Sequence, residues 1–122
     1  MIGFRDAVNA KDVEAMAAAL DPEVRFFSPA VFRPYEGREA VMGVLRHVVE
    51  VLEDFRYTDE LSGDGTFGLV FEARVGDKQV QGWDYLVMGD DGLVTELTVM
   101  IRPLKGLIAV AEAMGARIAA AS

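Results

Sequence analysis

Cysteine is absent from all 122 residues, and that removes disulfides, thiolate nucleophiles and Cys-based metal sites from consideration. Histidine occurs once, at His47, and a metal centre usually needs three or more ligands. A metal site is therefore not expected. Basic residues are scarce as well. Twelve Lys and Arg against twenty Asp and Glu leave a net charge of −8, which opposes binding to a phosphate backbone. No apolar run approaches the length of a membrane span, and Arg5 and Asp6 interrupt any signal-like start. The expectation is a cytoplasmic protein with no nucleic-acid or membrane partner. What is abundant is apolar side chain: a hydrophobic fraction of 52% in a chain of this length is enough to bury a real core, so a single domain over 1–122 is expected.

The hydrophobic pattern changes period along the chain. Residues 2–20 read as helix in two parts, with Phe4, Ala7 and Val8 opening an apolar stripe and Asp12 as N-cap of the second part. Asp21-Pro22 ends that helix, since proline biases its predecessor away from helical geometry. VRFFSPAVF (24–32) is β-branched and aromatic, a short strand broken by Pro29. A loop at 33–37 leads to a helix over about 38–54 with Val41, Val44, Leu45, Val48 and Leu52 on one face. From Phe55 the period becomes two, giving strands at about 55–61, 66–75, 78–88 and 93–102. Pro103 opens a last helix, for which the pattern predicts a buried stripe of Leu104, Leu107, Ile108, Ala111, Met114 and Ile118. This order is α+β: a curved antiparallel sheet wrapped by about three helices. The segment GDGTFG (63–68) lacks the Lys and the following helix of a phosphate cradle and reads as a hairpin turn.

The turns allow a register to be counted. A two-residue turn at Gly76-Asp77 pairs Val75 with Lys78, and hence Phe71 with Gly82 and Leu69 with Asp84. Closing the next turn with Met88 opposite Leu93 pairs Asp84 with Leu97 and Gly82 with Val99. One face then carries Phe67, Leu69, Phe71, Ala73, Val80, Leu86, Leu97, Val99 and Ile101, with Asp84 as its single carboxylate. The opposite face mixes charges with Trp83, Tyr85 and Met100, which suits a surface covered by a second copy of the chain, and a homodimer through that face is expected.

Asp84 is accordingly the main site candidate. A carboxylate among apolar neighbours is held toward its protonated form, which suits an acid or base catalyst; the competing reading is a structural Asp satisfied by Tyr35, His47 or a backbone amide. His47 lies at the edge of the second helix's stripe and is placed to meet Asp84 across the cavity, or else is a half-exposed helix residue without a role. Ser28, Arg33 and Tyr35 rim the pocket mouth, where a Tyr hydroxyl can polarise a carbonyl, although a loop Tyr also serves simply to fill space. Leu69, Phe71, Leu97 and Val99 form the apolar wall for a small apolar ligand.

Three segments carry a family resemblance: NAKDVEAMAAALDPEVRFFSP (9–29), YEGREAV (35–41) and GWDYLVMGDDGLVTELTVMIRP (82–103). Together with the element order they resemble the nuclear-transport-factor-2-like superfamily, which includes SnoaL-like polyketide cyclases, ketosteroid isomerases and limonene epoxide hydrolases. The resemblance covers essentially the whole chain. It implies a cystatin-like cone whose open end holds a small hydrophobic ligand, and a homodimer through the outer sheet face. It also implies cofactor-free chemistry by acidic or His residues on the inner wall. The cyclases carry a His-Trp-Asp-like stretch where this chain has Glu96-Leu97-Thr98-Val99, so Val99 stands at the position of their catalytic Asp. The epoxide hydrolases use an Arg and two Asp, whereas Asp84 alone is on the inner face here. The leading reading is a cofactor-free isomerase, cyclase, dehydratase or hydrolase acting on a compact carbonyl compound. The alternative is a non-catalytic ligand-binding or dimerisation module of the same fold.

Overall fold

The structure, a computed structural model, describes residues 2–121. Two short helices, α1 (Ile2–Asn9) and α2 (Val13–Ala18), precede strand β1 (Leu20–Phe27). Asp12 caps α2, its Oδ1 accepting from the Ala15 amide at 3.1 Å. A two-residue strand β2 (Tyr35–Glu36) leads into α3 (Arg38–Val51). The meander β3 (Glu53–Ser62), β4 (Thr66–Val75), β5 (Lys78–Met88) and β6 (Val94–Arg102) follows, and α4 (Leu104–Ala121) ends the chain. The six strands form one curved, unclosed sheet in the order β2-β1-β6-β5-β4-β3. All neighbours are antiparallel except β1 and β6, which run parallel. Among the described residues no helix is long and apolar enough to cross a membrane.

Leu20 and Asp21-Pro22, expected to end a helix, belong instead to β1. The Val94 amide donates to the Ala19 carbonyl at 2.9 Å, and the backbone of Leu20 pairs with Val94. Between Leu20 and Arg25 the ladder shifts register, and Pro22, which has no N–H to offer, falls in that interruption. The Arg38 guanidinium donates twice to the Leu20 carbonyl, at 2.6 and 3.1 Å, and so ties the start of α3 to the start of β1.

The β4–β5 register is the one counted from Gly76-Asp77, with Leu69 opposite Asp84 and Phe71 opposite Gly82. The β5–β6 register differs by two residues: Asp84 faces Val99, and Gly82 faces Ile101. Two features cause the slip. The turn is longer, with the Gly89 amide donating to the Leu93 carbonyl, and a bulge places Thr95 as an extra residue between the Met88–Val94 and Val87–Glu96 pairs. One residue comes from each, so the faces from Glu96 onward are unchanged, while Val94 rather than Leu93 turns into the core.

Helix α4 departs from its apolar stripe. Gly106 and Val110 are its buried residues, while Leu104, Ile108 and Ile118 are exposed. A Cβ at Gly106 would lie 2.6 Å from Val80 Cγ1 and 3.1 Å from the Gln79 carbonyl, so the helix backbone rests directly against the sheet there. Hydrophobic periodicity gives no weight to glycine as a contact residue, and here a glycine sets the rotation of the helix.

The inner face of the sheet supports two core clusters. One gathers Phe4, Met16, Phe26, Leu45, Leu86 and Leu97 beneath α1, α2 and α3. The other gathers Leu52, Phe71, Val80 and Val110 beneath α4. Val48, Tyr57 and Val99 pack against both.

Candidate functional site

A cavity of about 250 Å³ opens where the two clusters fail to meet. Phe26, Leu45, Val48, Phe71 and Leu97 are among its buried or half-buried walls, and the exposed residues Lys11, Ala30, Val31, Gly115 and Ile118 also line it. Its volume is below the roughly 300–1,000 Å³ of most small-molecule sites.

Asp84 reaches this cavity from the middle of β5. At 7% exposure it is the buried charged residue among those described. Its position follows from strand alternation: Gly82, Asp84 and Leu86 point inward, while Trp83 and Tyr85 point out. Gly82 leaves room for the ring of Phe71, since a Cβ there would lie 2.0 Å from Phe71 Cζ. Phe71 in turn stacks on Phe55, with ring centroids 4.8 Å apart and planes 27° apart. The resulting floor is apolar right up to the carboxyl group.

The partner of Asp84 is Tyr57, whose hydroxyl donates to Oδ2 at 3.1 Å. Burial raises the Asp84 carboxyl from its ordinary 3.8 to about 7, and the hydrogen bond from Tyr57 opposes that shift without cancelling it. Tyr57 is itself held well above the usual phenol range, first by burial and then by the neighbouring carboxylate, so it stays a donor. Asp84 is thus an acid able to exchange a proton near neutrality, with one oxygen engaged by Tyr57.

Ser28, Tyr35, Phe71, Leu97 and Val99 line the same cavity as Asp84. The Ser28 Oγ also accepts from the Ala30 amide at 3.0 Å, and Tyr35 stacks against Phe26 with centroids 6.0 Å apart. Three residues read from the sequence as members or rim of the site lie elsewhere, and of these Arg33 is exposed in the loop ahead of β2 and does not line the cavity. His47 does not meet Asp84: it sits on the flank of α3 beside α4, and its Nδ1 accepts from Arg117 Nε at 3.2 Å. The rotation of α3 is set by Val41, Met42 and Leu45, which are buried and leave His47 off the cavity wall. Leu69 is wholly buried in the first core cluster and does not line the cavity, although its Cα is opposite that of Asp84.

Tyr57 and Lys11 are the residues that the sequence reading missed. The alternation of Phe55 and Tyr57 in β3 signals that both face inward. The register that brings Tyr57 to Asp84 was not countable, because the β3–β4 ladder shifts twice, between Glu53 and Arg56 and between Tyr57 and Asp59. Among the described residues no cluster of three His, Asp or Glu is arranged to hold a metal ion.

A cone of sheet and helices enclosing one acid in an apolar cavity defines a class of small α+β pocket domain. The chain belongs to the SnoaL-like domain family, whose profile matches residues 2–103. Among solved structures it is similar to a steroid delta-isomerase from Pseudomonas aeruginosa, with 36% identity, coverage of 96% of this chain and 87% of that one, and a TM-score of 0.92. It is also similar to a protein with a cystatin-like fold from Silicibacter pomeroyi, at 31% identity, 95% and 82% coverage, and a TM-score of 0.91. A SnoaL-like protein from Burkholderia thailandensis shares the fold at 18% identity, 83% and 90% coverage, and a TM-score of 0.68. No curated protein matches the sequence.

Proposed function

We propose that this protein is a cofactor-free enzyme that moves a proton on a compact, mostly apolar carbonyl compound, with Asp84 as the acid and base. The observation that carries the reading is the buried Asp84 carboxyl in an apolar cavity, hydrogen-bonded by Tyr57 and poised near pH 7. Ionised Asp84 takes a proton from the carbon beside the carbonyl, and the bond electrons move onto the carbonyl oxygen as an enolate. Protonated Asp84 then returns the proton, to the same carbon or to a conjugated one, and the second outcome is an isomerisation. Ser28 and Tyr35 supply neutral hydroxyls in the same space for the developing oxyanion. The likeness to a protein called a steroid delta-isomerase supports this reaction class. The small cavity favours a substrate more compact than a tetracyclic one.

The test is Asp84→Asn, which keeps the shape and removes the proton acceptor. Activity on a substrate found among small cyclic ketones and enones should fall about 100-fold or more. Tyr57→Phe should retain activity but move the rising limb of the pH–rate profile upward, because the bond that lowers the Asp84 pKa is gone. Full activity of Asp84→Asn would end the reading of Asp84 as the catalytic base, and binding without turnover in the wild type would leave a binding module as the reading. Val99, which faces Asp84 where the resembling cyclases have an acid, favours that alternative. We also propose that two copies associate through the outer sheet face, since Tyr85 and Met100 are exposed there beside half-buried Trp83. Light scattering at micromolar concentration should give the mass of a dimer.

A further inference from the structure

Two charged residues line the cavity: Asp84, which is buried, and Lys11, which is exposed. Lys11 is on the turn between α1 and α2, with a left-handed backbone (φ 53°). Among the described residues no carboxylate pairs with the Lys11 ammonium. The neighbouring charges are engaged elsewhere. The Asp12 carboxylate is turned to the Ala15 amide as the cap of α2, and Arg5 is bound to Glu60 at 2.7 Å and to Asp6 at 3.4 Å. Arg117, near the same end of α4, is hydrogen-bonded to His47 and does not line the cavity. Lys11 is therefore an exposed, unpaired cation on a cavity whose lining, apart from Asp84 and the Ser28 and Tyr35 hydroxyls, is apolar.

We infer that Lys11 is a specificity residue of this site and that the natural ligand is amphipathic: a carbonyl-bearing apolar body that enters toward Asp84, with a carboxylate or similar anion that remains at the mouth against Lys11. This rests on the carbonyl reading of the cavity and adds the polarity of the substrate to it. The chain's net charge of −8 repels anions at long range, so a carboxylate gains at this mouth only through a local contact. A ligand with one ionised end and one apolar end can take a single orientation, because reversing it would bury the anion beside Asp84. Lys11 thus selects the substrate and also fixes which carbon meets the acid.

The probes are a cyclohexanone bearing a propanoate chain on its α carbon and the methyl ester of that compound, which differ in the charge and in one methyl group. Wild-type protein should bind the acid about threefold to fivefold tighter than the ester at low salt, and about 0.5 M salt should erode the difference. Lys11→Gln should abolish the preference by weakening the acid and leaving the ester unchanged, and Lys11→Glu should invert it. Both variants should keep the wild-type melting temperature, since Lys11 is exposed. Equal affinity for the two probes in the wild type, or a preference that survives in both variants, overturns the inference. Exchange of the ketone's α-hydrogen in heavy water reads the Asp84 chemistry separately. Asp84-dependent exchange without a Lys11-dependent preference sinks the inference and spares the reaction. A Lys11-dependent preference without exchange does the reverse, and no binding of either probe at millimolar concentration removes both.

Discussion

On the inner side of the meander, Leu69, Phe71, Leu86 and Leu97 are buried and Asp84 is the one charge. One residue along the same strands, on the outer side, Glu72 pairs with Arg56, Glu96 with Arg25 at 2.9 Å, and Arg102 donates to Gln81 at 3.1 Å. Each side also has an aromatic ring lying over a glycine. Phe71 covers Gly82 on the inside and Trp83 covers Gly68 on the outside. Backbone and pleat are shared, so the contrast isolates the effect of solvent. Outer carboxylates are half exposed and paired, and none of Glu72, Glu96 or Gln81 is lost to water. The inner carboxylate has exchanged water for a single phenol, and its affinity for a proton rises accordingly.

The largest expected expression of that difference is in stability against pH. Unfolded, Asp84 titrates near 3.8; folded, it titrates near 7. Below about pH 4 it is neutral in both states and is without penalty. Between these values the folded chain holds a proton that the unfolded chain has released, so stability falls as pH rises. The fall amounts to about 4 kcal/mol in all and levels off above pH 7. Denaturant titrations at pH 4.5 and 8 should show about 3 kcal/mol of this loss in the wild type and none in Asp84→Asn. A similar loss in both proteins would mean that Asp84 is better solvated than its burial indicates. Next in size is Gly82→Ala. Its Cβ would meet a Phe71 ring already stacked on Phe55, and about 1–3 kcal/mol should be lost in chemical denaturation. Gly68→Ala makes an equally close approach to the Trp83 ring on the outer side, where the ring can swing toward solvent, and should lose less. The smallest effect belongs to Glu72→Gln. Both members of its pair with Arg56 are more than a third exposed, so the change should stay under about 1 kcal/mol.

The sheet was legible because its turns announce themselves and because period-two alternation leaves only two possible faces. A two-residue slip in β6 did not move Val99 or Ile101 to the other side, and Asp84 lay inward under either register. Helix α4 was not legible in the same way. Its rotation depends on the contact between Gly106 and Val80, a property of the assembled surface rather than of its own hydrophobic pattern. His47 illustrates the same limit: at the edge of an apolar stripe, a modest rotation of α3 decides between the cavity and Arg117. Tyr57 escaped because two ladder shifts in β3 hide which residues it faces. Pairings between distant segments, more than local preference, carried what the sequence withheld.

The parallel seam between β1 and β6 has a consequence for how the chain assembles. The meander joins near neighbours in sequence, whereas Arg25 must find Glu96 and Phe26 must find Leu97 across most of the chain. Closing so long a loop costs entropy before any contact rewards it, so local hairpins are favoured to form first. Phe4 and Met16 precede that seam and Phe26 belongs to it, and all three line the cavity. On a ribosome, β1 emerges before β6 and has no parallel partner to dock on until the meander has been made. The cavity, whose walls include Phe26 and Leu97 from the two sides of that seam, is therefore enclosed only after the meander exists.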